Sequence, residues 1–118
     1  MKNIKKFAIL AALFICINSA YAAGTVSKIT NGKINNVRVD ANGKGIIRFN
    51  KDILNIANCT EEFYHSAFSF DVNTPGGQAI YSMALTAKAA DKPIMAYGTG
   101  NCSEYTNTVE SINMLIIQ

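Results

Sequence analysis

The sequence has few of the residues that enzymes use at active centres. It contains a single histidine, His65, which cannot build a histidine-rich metal site, and no Asp/Asn ladder has the spacing of a calcium loop. Ser66 and Asp71 lie near His65, but within one predicted strand and without the nucleophile elbow of a hydrolase. Gly76-Gly77 lacks the Lys-Ser/Thr of a phosphate-binding loop. We therefore expect no catalytic residues, no metal and no cofactor.

The chain also lacks an excess of charge once its first residues are set aside. Its formal net charge is +3, and Lys2, Lys5 and Lys6 account for all of it. Nucleic acids and anionic membranes are bound by clustered, uncompensated Lys and Arg, and the remaining residues offer none. No stretch reaches the roughly 20 apolar residues that a membrane-spanning helix needs. We expect no nucleic-acid partner and no membrane span.

The first 22 residues have the three parts of a secretory signal peptide. The early lysines form a positive region, Phe7 to Ile17 an apolar region, and Ala20-Tyr21-Ala22 a small-x-small cleavage site. This pattern predicts export to the periplasm or the medium. Residues 1–22 would be the signal peptide and residues 23–118 a single mature domain.

Cysteine usage points to the same compartment. Cys16 lies in the leader, so the mature chain keeps Cys59 and Cys102. An even pair in a small exported domain favours a disulfide. The alternatives are metal ligands or a redox dithiol, which would require C-x-x-C spacing or nearby histidines. Neither is present, and we predict a Cys59–Cys102 disulfide.

The mature chain reads as five strands and one helix. Asp40–Gly45 supplies hairpin-turn residues, and Thr74-Pro75 supplies a helix cap followed by a first helical residue. Apolar spacing from Ile80 to Ala87 indicates an amphipathic helix that ends near Ala90. The predicted strands are Val26–Asp40 with a bulge, Gly45–Phe49, Phe63–Val72, Ile94–Gly98 and Val109–Ile117.

This order predicts a mainly β (α+β) domain. The sequence β-β-β-α-β-β, with the helix between strands three and four, is the order of the five-stranded OB-fold barrel. Closing a barrel would also remove the exposed edges of a small sheet. A two-layer α+β sheet is the alternative. In either case the disulfide would join the loop before strand three to the loop after strand four.

Several motifs resemble a group of small exported bacterial proteins with two cysteines. They are Gly32–Val37, Thr74–Leu85, Lys92–Ile94 and Tyr97–Cys102. In plan, these proteins are similar to the OB-fold B subunits of AB5 toxins, of the subtilase-cytotoxin type. That likeness is one of architecture, and it implies a pentameric ring that binds host glycans beside a catalytic A subunit.

With catalysis disfavoured, we expect a non-enzymatic binding module. Aromatic rings and short polar side chains, the chemistry of sugar recognition, gather near the second cysteine. The candidate ligand-binding residues are Tyr97, Asn101, Ser103, Tyr105, Thr106 and Asn107. The expected partner is a host glycan bound by a toxin-B-like ring. The alternative is a monomeric exported accessory protein or inhibitor that docks on another protein.

Overall fold

The computed structural model describes residues 25–118. The predicted signal peptide and Cys16 lie outside the described residues. Within them, the chain forms six strands, one α-helix and a short 3-10 turn, Glu62–Tyr64. The elements are β1 Lys28–Gly32, β2 Ile34–Val39, β3 Lys44–Phe49, β4 Ala67–Asp71, α1 Pro75–Ala89, β5 Ile94–Gly98 and β6 Ile112–Ile117.

The strands form two three-stranded antiparallel sheets. One sheet has the order β1-β5-β6 and the other β2-β3-β4. The sheets meet at two places: β1 runs directly into β2, and a parallel bridge joins Ser69 of β4 to Ser111 beside β6. The prediction of a mainly β domain with one helix is therefore confirmed.

The predicted count of five strands in a closed barrel is wrong, because the long first strand is divided at Lys33. The Lys33 N–H donates to the side-chain oxygen of Asn50, 2.9 Å away, and its carbonyl accepts from the Asn50 N–H. Asn31 has a left-handed φ of 51° just before this break. The chain consequently leaves one sheet as β1 and enters the other as β2, which places the helix between β4 and β5.

The main core lies between the two sheets and the helix. Its largest fully buried side chains are Ile29, Ile47, Phe49, Phe68, Phe70 and Ile94. Phe49 and Phe68 meet edge to face, with ring centroids 6.0 Å apart. Alternate residues of a strand point to the same side of the sheet. Phe68 and Phe70 of β4 therefore both enter this core, together with Phe49 at the end of β3.

The helix begins and ends close to where the sequence predicts. The Thr74 hydroxyl accepts a hydrogen bond from the Gly77 N–H at 3.0 Å, and Pro75 takes the first helical position. Ala84 and Ala87 are buried in the main core, while Tyr81 stacks on Phe70. Leu85, by contrast, is 43% exposed.

A second, smaller core covers the other side of the β2-β3-β4 sheet. Ile46, Ala67 and Val109 are buried there, and Tyr64 and Tyr105 pack against them. The predicted third strand was too long, because Glu62–Tyr64 turns away as a 3-10 turn and carries Tyr64 to this side. Strand five is also shorter than predicted: Val109 belongs to the loop that closes the second core, and β6 begins at Ile112.

The predicted disulfide is present, and it joins the two loops that contribute to the second core. Cys59 and Cys102 are bonded across 43 residues. One lies in the loop before β4 and the other in the loop after β5, as expected. The bond joins the two long loops, residues 50–66 and residues 99–111, that cover the β2-β3-β4 sheet.

Residues 25–118 include no helix with the length and apolar character to cross a bilayer. The single α-helix, Pro75–Ala89, has 15 residues. A span through the hydrocarbon layer takes about 20.

Replacing both cysteines, as Cys59→Ala with Cys102→Ala, is expected to lower the free energy of unfolding by about 4 kcal/mol. The reason is that a loop of 43 residues is no longer closed in the unfolded chain. Urea denaturation of the oxidised wild type and the double variant measures this difference. Wild-type protein in reductant should unfold at the midpoint of the double variant. Equal midpoints for all three samples would contradict a structural role for the disulfide.

Candidate functional site

The predicted ligand-binding residues do not form a single site. Tyr97 lies on β5, half-buried, and its hydroxyl donates to Met95 Sδ at 3.3 Å. Tyr105 belongs to the second core, where its hydroxyl donates to Asp40 at 2.6 Å. The two aromatic rings, which the sequence grouped as one platform, are therefore in different places: Tyr97 lies on β5, and Tyr105 lies on the loop before β6 and packs against the second core.

The remaining predicted residues lie on the exposed loop between β5 and β6. The main chain of Asn101 and Ser103 bonds to Ser111, through the Asn101 carbonyl at 2.7 Å and the Ser103 N–H at 2.9 Å. The Thr106 carbonyl accepts from the Thr108 hydroxyl, and Asn107 adopts a left-handed φ of 54° at the tip of the loop. These contacts shape the loop, and Tyr105 alone belongs to the larger cluster described next.

That cluster alternates aromatic and charged side chains over one face of the molecule. We call it the aromatic–arginine face, and its members come from β2, β3, the 3-10 turn and the loop before β6. They are Arg38, Asp40, Arg48, Phe63, Tyr64 and Tyr105.

Arg48 holds the outer half of this face. Its guanidinium lies 4.5 Å from the ring centre of Phe63 and 5.3 Å from that of Tyr64, and Nη1 donates to the Phe63 carbonyl at 2.9 Å. The two rings meet edge to face at 5.0 Å. Phe63 is nevertheless 71% exposed, so an aromatic ring is held in a fixed position while much of it faces solvent.

Arg38, Asp40 and Tyr105 form the inner half. The Arg38 Nε lies 3.0 Å from Asp40, and its guanidinium lies 5.9 Å from the ring centre of Tyr105. The Tyr105 hydrogen bond, with help from Arg38, lowers the pKa of Asp40. Hydrogen bonds to Tyr105 and Asp40 raise the pKa of Arg38. The pKa of Tyr105 is raised mainly by burial and, to a smaller extent, by its hydrogen bond to Asp40. Asp40 is consequently ionised and fixed in place at neutral pH.

A second polar centre lies inside the molecule around Glu110, which is fully buried. One carboxylate oxygen accepts from the Ala57 N–H at 2.7 Å. The other accepts from the Gly100 N–H at 2.8 Å and from the Ser27 hydroxyl. The Glu110 carbonyl accepts from the Ser69 N–H at 2.8 Å. Within residues 25–118 the ion pairs are Lys33–Asp91 and Arg38–Asp40, so hydrogen bonds alone stabilise this carboxylate.

Glu104 provides a related anchor for the loop before β6. Its carboxylate accepts from the Ser69 hydroxyl at 2.9 Å and from the Ser111 hydroxyl. Ser69 is fully buried, and Ser111 is 4% exposed. No local sequence pattern distinguishes either glutamate from other charged residues in a polar stretch, because most of their hydrogen-bond partners are distant in the chain.

A cavity of about 690 Å³ opens beside Glu110, where the start of β1 meets the loop after β3 and the loop after β5. Ser27, Ala57 and Gly100 contribute to its wall, and these residues also bond to the buried carboxylate. None of the six predicted ligand residues lines it. No group of three or more potential metal ligands occurs within residues 25–118.

Comparison with known proteins adds no relative. No protein-family model, no curated protein and no solved structure matches the chain. None of these comparisons links the chain to the B subunits of AB5 toxins.

Changing Glu110 to Gln is expected to lower the free energy of unfolding by about 2–3 kcal/mol. The two carboxylate oxygens of Glu110 each accept from a backbone N–H, whereas the amide of Gln has only one oxygen that can accept. The amide NH₂ group would therefore face a backbone N–H and leave it without an acceptor. Urea denaturation measures the change. Glu62→Gln, on an exposed glutamate, is the matched control and should leave the midpoint unchanged. If the Glu110→Gln variant unfolded at the same urea concentration as the control, the buried carboxylate would not have this stabilising role.

Changing Tyr105 to Phe is expected to raise the pKa of Asp40, because the phenol hydrogen bond is the largest cause of its lowering. Since the folded-state pKa is depressed, the contribution to stability is present above the ordinary Asp pKa of about 4 and is lost as the pH falls through the folded value. Titration of the carboxyl carbon by NMR measures the pKa.

Tyr97→Phe is the control for this titration, since the Tyr97 hydroxyl bonds to Met95. It should leave the Asp40 titration unchanged. The stability difference between wild type and Tyr105→Phe should shrink as the pH falls below about 4. A difference that stays constant across that range would contradict the assignment.

Proposed function

We propose that this chain is an exported, non-enzymatic binding module that recognises carbohydrate through the aromatic–arginine face. The observation that carries the proposal is Phe63, an aromatic ring that is 71% exposed and yet held by Arg48. Isolated exposed rings are common on protein surfaces, but a ring fixed by a guanidinium and a second aromatic is preorganised for contact.

The chemistry of the face suits a sugar. The apolar C–H side of a pyranose ring can pack on Phe63, while hydroxyl groups need donors and acceptors at its rim. Arg48 pairs with no carboxylate within residues 25–118, and Asp40 is an ionised acceptor nearby. Hydrogen bonds to such charged groups are stronger than neutral ones. A glycan that carries a carboxylate would gain further from Arg48.

The fold supports the same class of protein. If β1 and β2 are taken as one strand that changes sheets at Lys33, and the Ser69–Ser111 bridge as the contact between β4 and β6, the strands follow the order of an OB barrel. We propose this interpretation of the architecture. It supports the likeness to toxin B subunits, and with it a ring of identical copies that would present several faces to one glycan surface.

The test is a glycan array probed with the purified, oxidised protein, followed by titration of the glycans that bind. Phe63→Ala and Arg48→Ala should each weaken binding about tenfold or more, because they remove the fixed ring and its support. Leu85→Ala and Lys88→Ala, on exposed positions of α1, are the matched controls and should bind as wild type does.

Light scattering on the same samples tests the ring, for which a mass near five protomers is expected. Absence of binding to every glycan on the array would contradict carbohydrate recognition. Together with a monomeric mass, that result would favour the alternative of an accessory protein or inhibitor. Phe63 would then be the natural anchor for a protein partner, because buried aromatic anchors dominate such interfaces.

A further inference from the structure

The cavity beside Glu110 is separate from the aromatic–arginine face and shares no residue with it. Its polar lining comes from short side chains, none of them charged or aromatic. These are Thr25, Ser27, Asn55, Asn58, Thr99 and Asn113. Val26 and Ile56 are apolar parts of the wall, and Ala57, Gly98 and Gly100 complete it.

The wall is built to keep its shape without a ligand. The Glu110 carboxylate lies directly behind it and bonds to Ser27, Ala57 and Gly100, which come from three of the four segments that line the cavity. Gly98 is needed at its position, because a Cβ there would lie 1.9 Å from a Glu110 oxygen. Asn55 has a left-handed φ of 56°. A residue other than glycine keeps this conformation where surrounding contacts fix it.

The chemistry of the lining selects a class of ligand. A phosphate or carboxylate would enter a site with no cationic side chain and with a carboxylate behind its wall. A metal cation would find no cluster of carboxylate or imidazole ligands within residues 25–118. Amide and hydroxyl groups instead pair with neutral hydroxyls, and a volume of about 690 Å³ lies within the roughly 300–1,000 Å³ of small-molecule sites.

We propose that this cavity binds a small, neutral, polyhydroxylated molecule: a monosaccharide, a disaccharide or a sugar alcohol. Asn58 and Asn113 lie exposed at the cavity, and neither side chain is engaged in a hydrogen bond within residues 25–118. They supply donors and acceptors for ligand hydroxyls, while the fixed main chain sets the outline. This site is independent of the proposed glycan face, because it uses other residues and requires no aromatic ring.

The test is NMR titration of the purified, oxidised protein with glucose, galactose, mannose, N-acetylglucosamine, maltose and mannitol at millimolar concentrations. At least one should produce saturable shifts of the Ala57, Gly98 and Gly100 amide signals. Asn58→Ala and Asn113→Ala should each weaken that binding about tenfold, the equivalent of one lost hydrogen bond. Asn36→Ala is the matched control, because Asn36 lies at an exposed position of β2 away from the cavity, and this variant should bind as wild type does.

Phe63→Ala separates this proposal from the glycan face, since it should leave the cavity titration unchanged. Saturable binding that depends on Asn58 and Asn113 but not on Phe63 supports the cavity site, even if no glycan binds at the face. The proposal is overturned if no compound shifts the cavity signals, if the shifts map to Arg48 and Phe63, or if inorganic phosphate binds there more tightly than every sugar.

Discussion

The buried carboxylate of Glu110 is the contact on which the arrangement of loops depends. Its two oxygens and its carbonyl bond to Ser27 before β1, Ala57 in the loop after β3, Gly100 after β5 and Ser69 on β4. A buried anion without a cation is costly unless several donors replace its water. Here those donors come from distant parts of the chain, so the carboxylate is stable only when all of these segments are in place.

The disulfide divides each of the two long loops into parts with different tasks. Before Cys59 and before Cys102, the loops bond to Glu110 and line the cavity through Ala57 and Gly100. After the cysteines, they supply Phe63, Tyr64 and Tyr105 to the second core and the aromatic–arginine face. One covalent bond thus positions both candidate sites, which explains why a small domain can hold them on segments with little regular secondary structure.

Features with a local cause could be predicted from the sequence, and features that join distant segments could not. The Asp40–Gly45 turn, the Thr74 cap and the cysteine pair each have a short-range signal, and the structure has the hairpin, helix and disulfide that they predict. The break at Lys33 depends on Asn50, and the burial of Glu110 on Ser27, 83 residues away. Neither partner is visible in local patterns of hydrophobicity.

The same distinction explains why the six predicted ligand-binding residues lie in different parts of the fold. Composition identified a loop rich in Tyr, Asn, Ser and Thr, and the main chain of that loop bonds within the loop or to Ser111. The rings of Tyr97 and Tyr105, however, pack in different parts of the fold, so the six residues form no common site. Both candidate sites are instead formed by residues that distant segments bring together: Phe63 against Arg48, and Asn58 and Asn113 at the cavity. Because Phe63 is held against Arg48 and Tyr64 before any ligand arrives, binding there would not require the ordering of that side chain, a cost that lowers affinity at flexible surfaces.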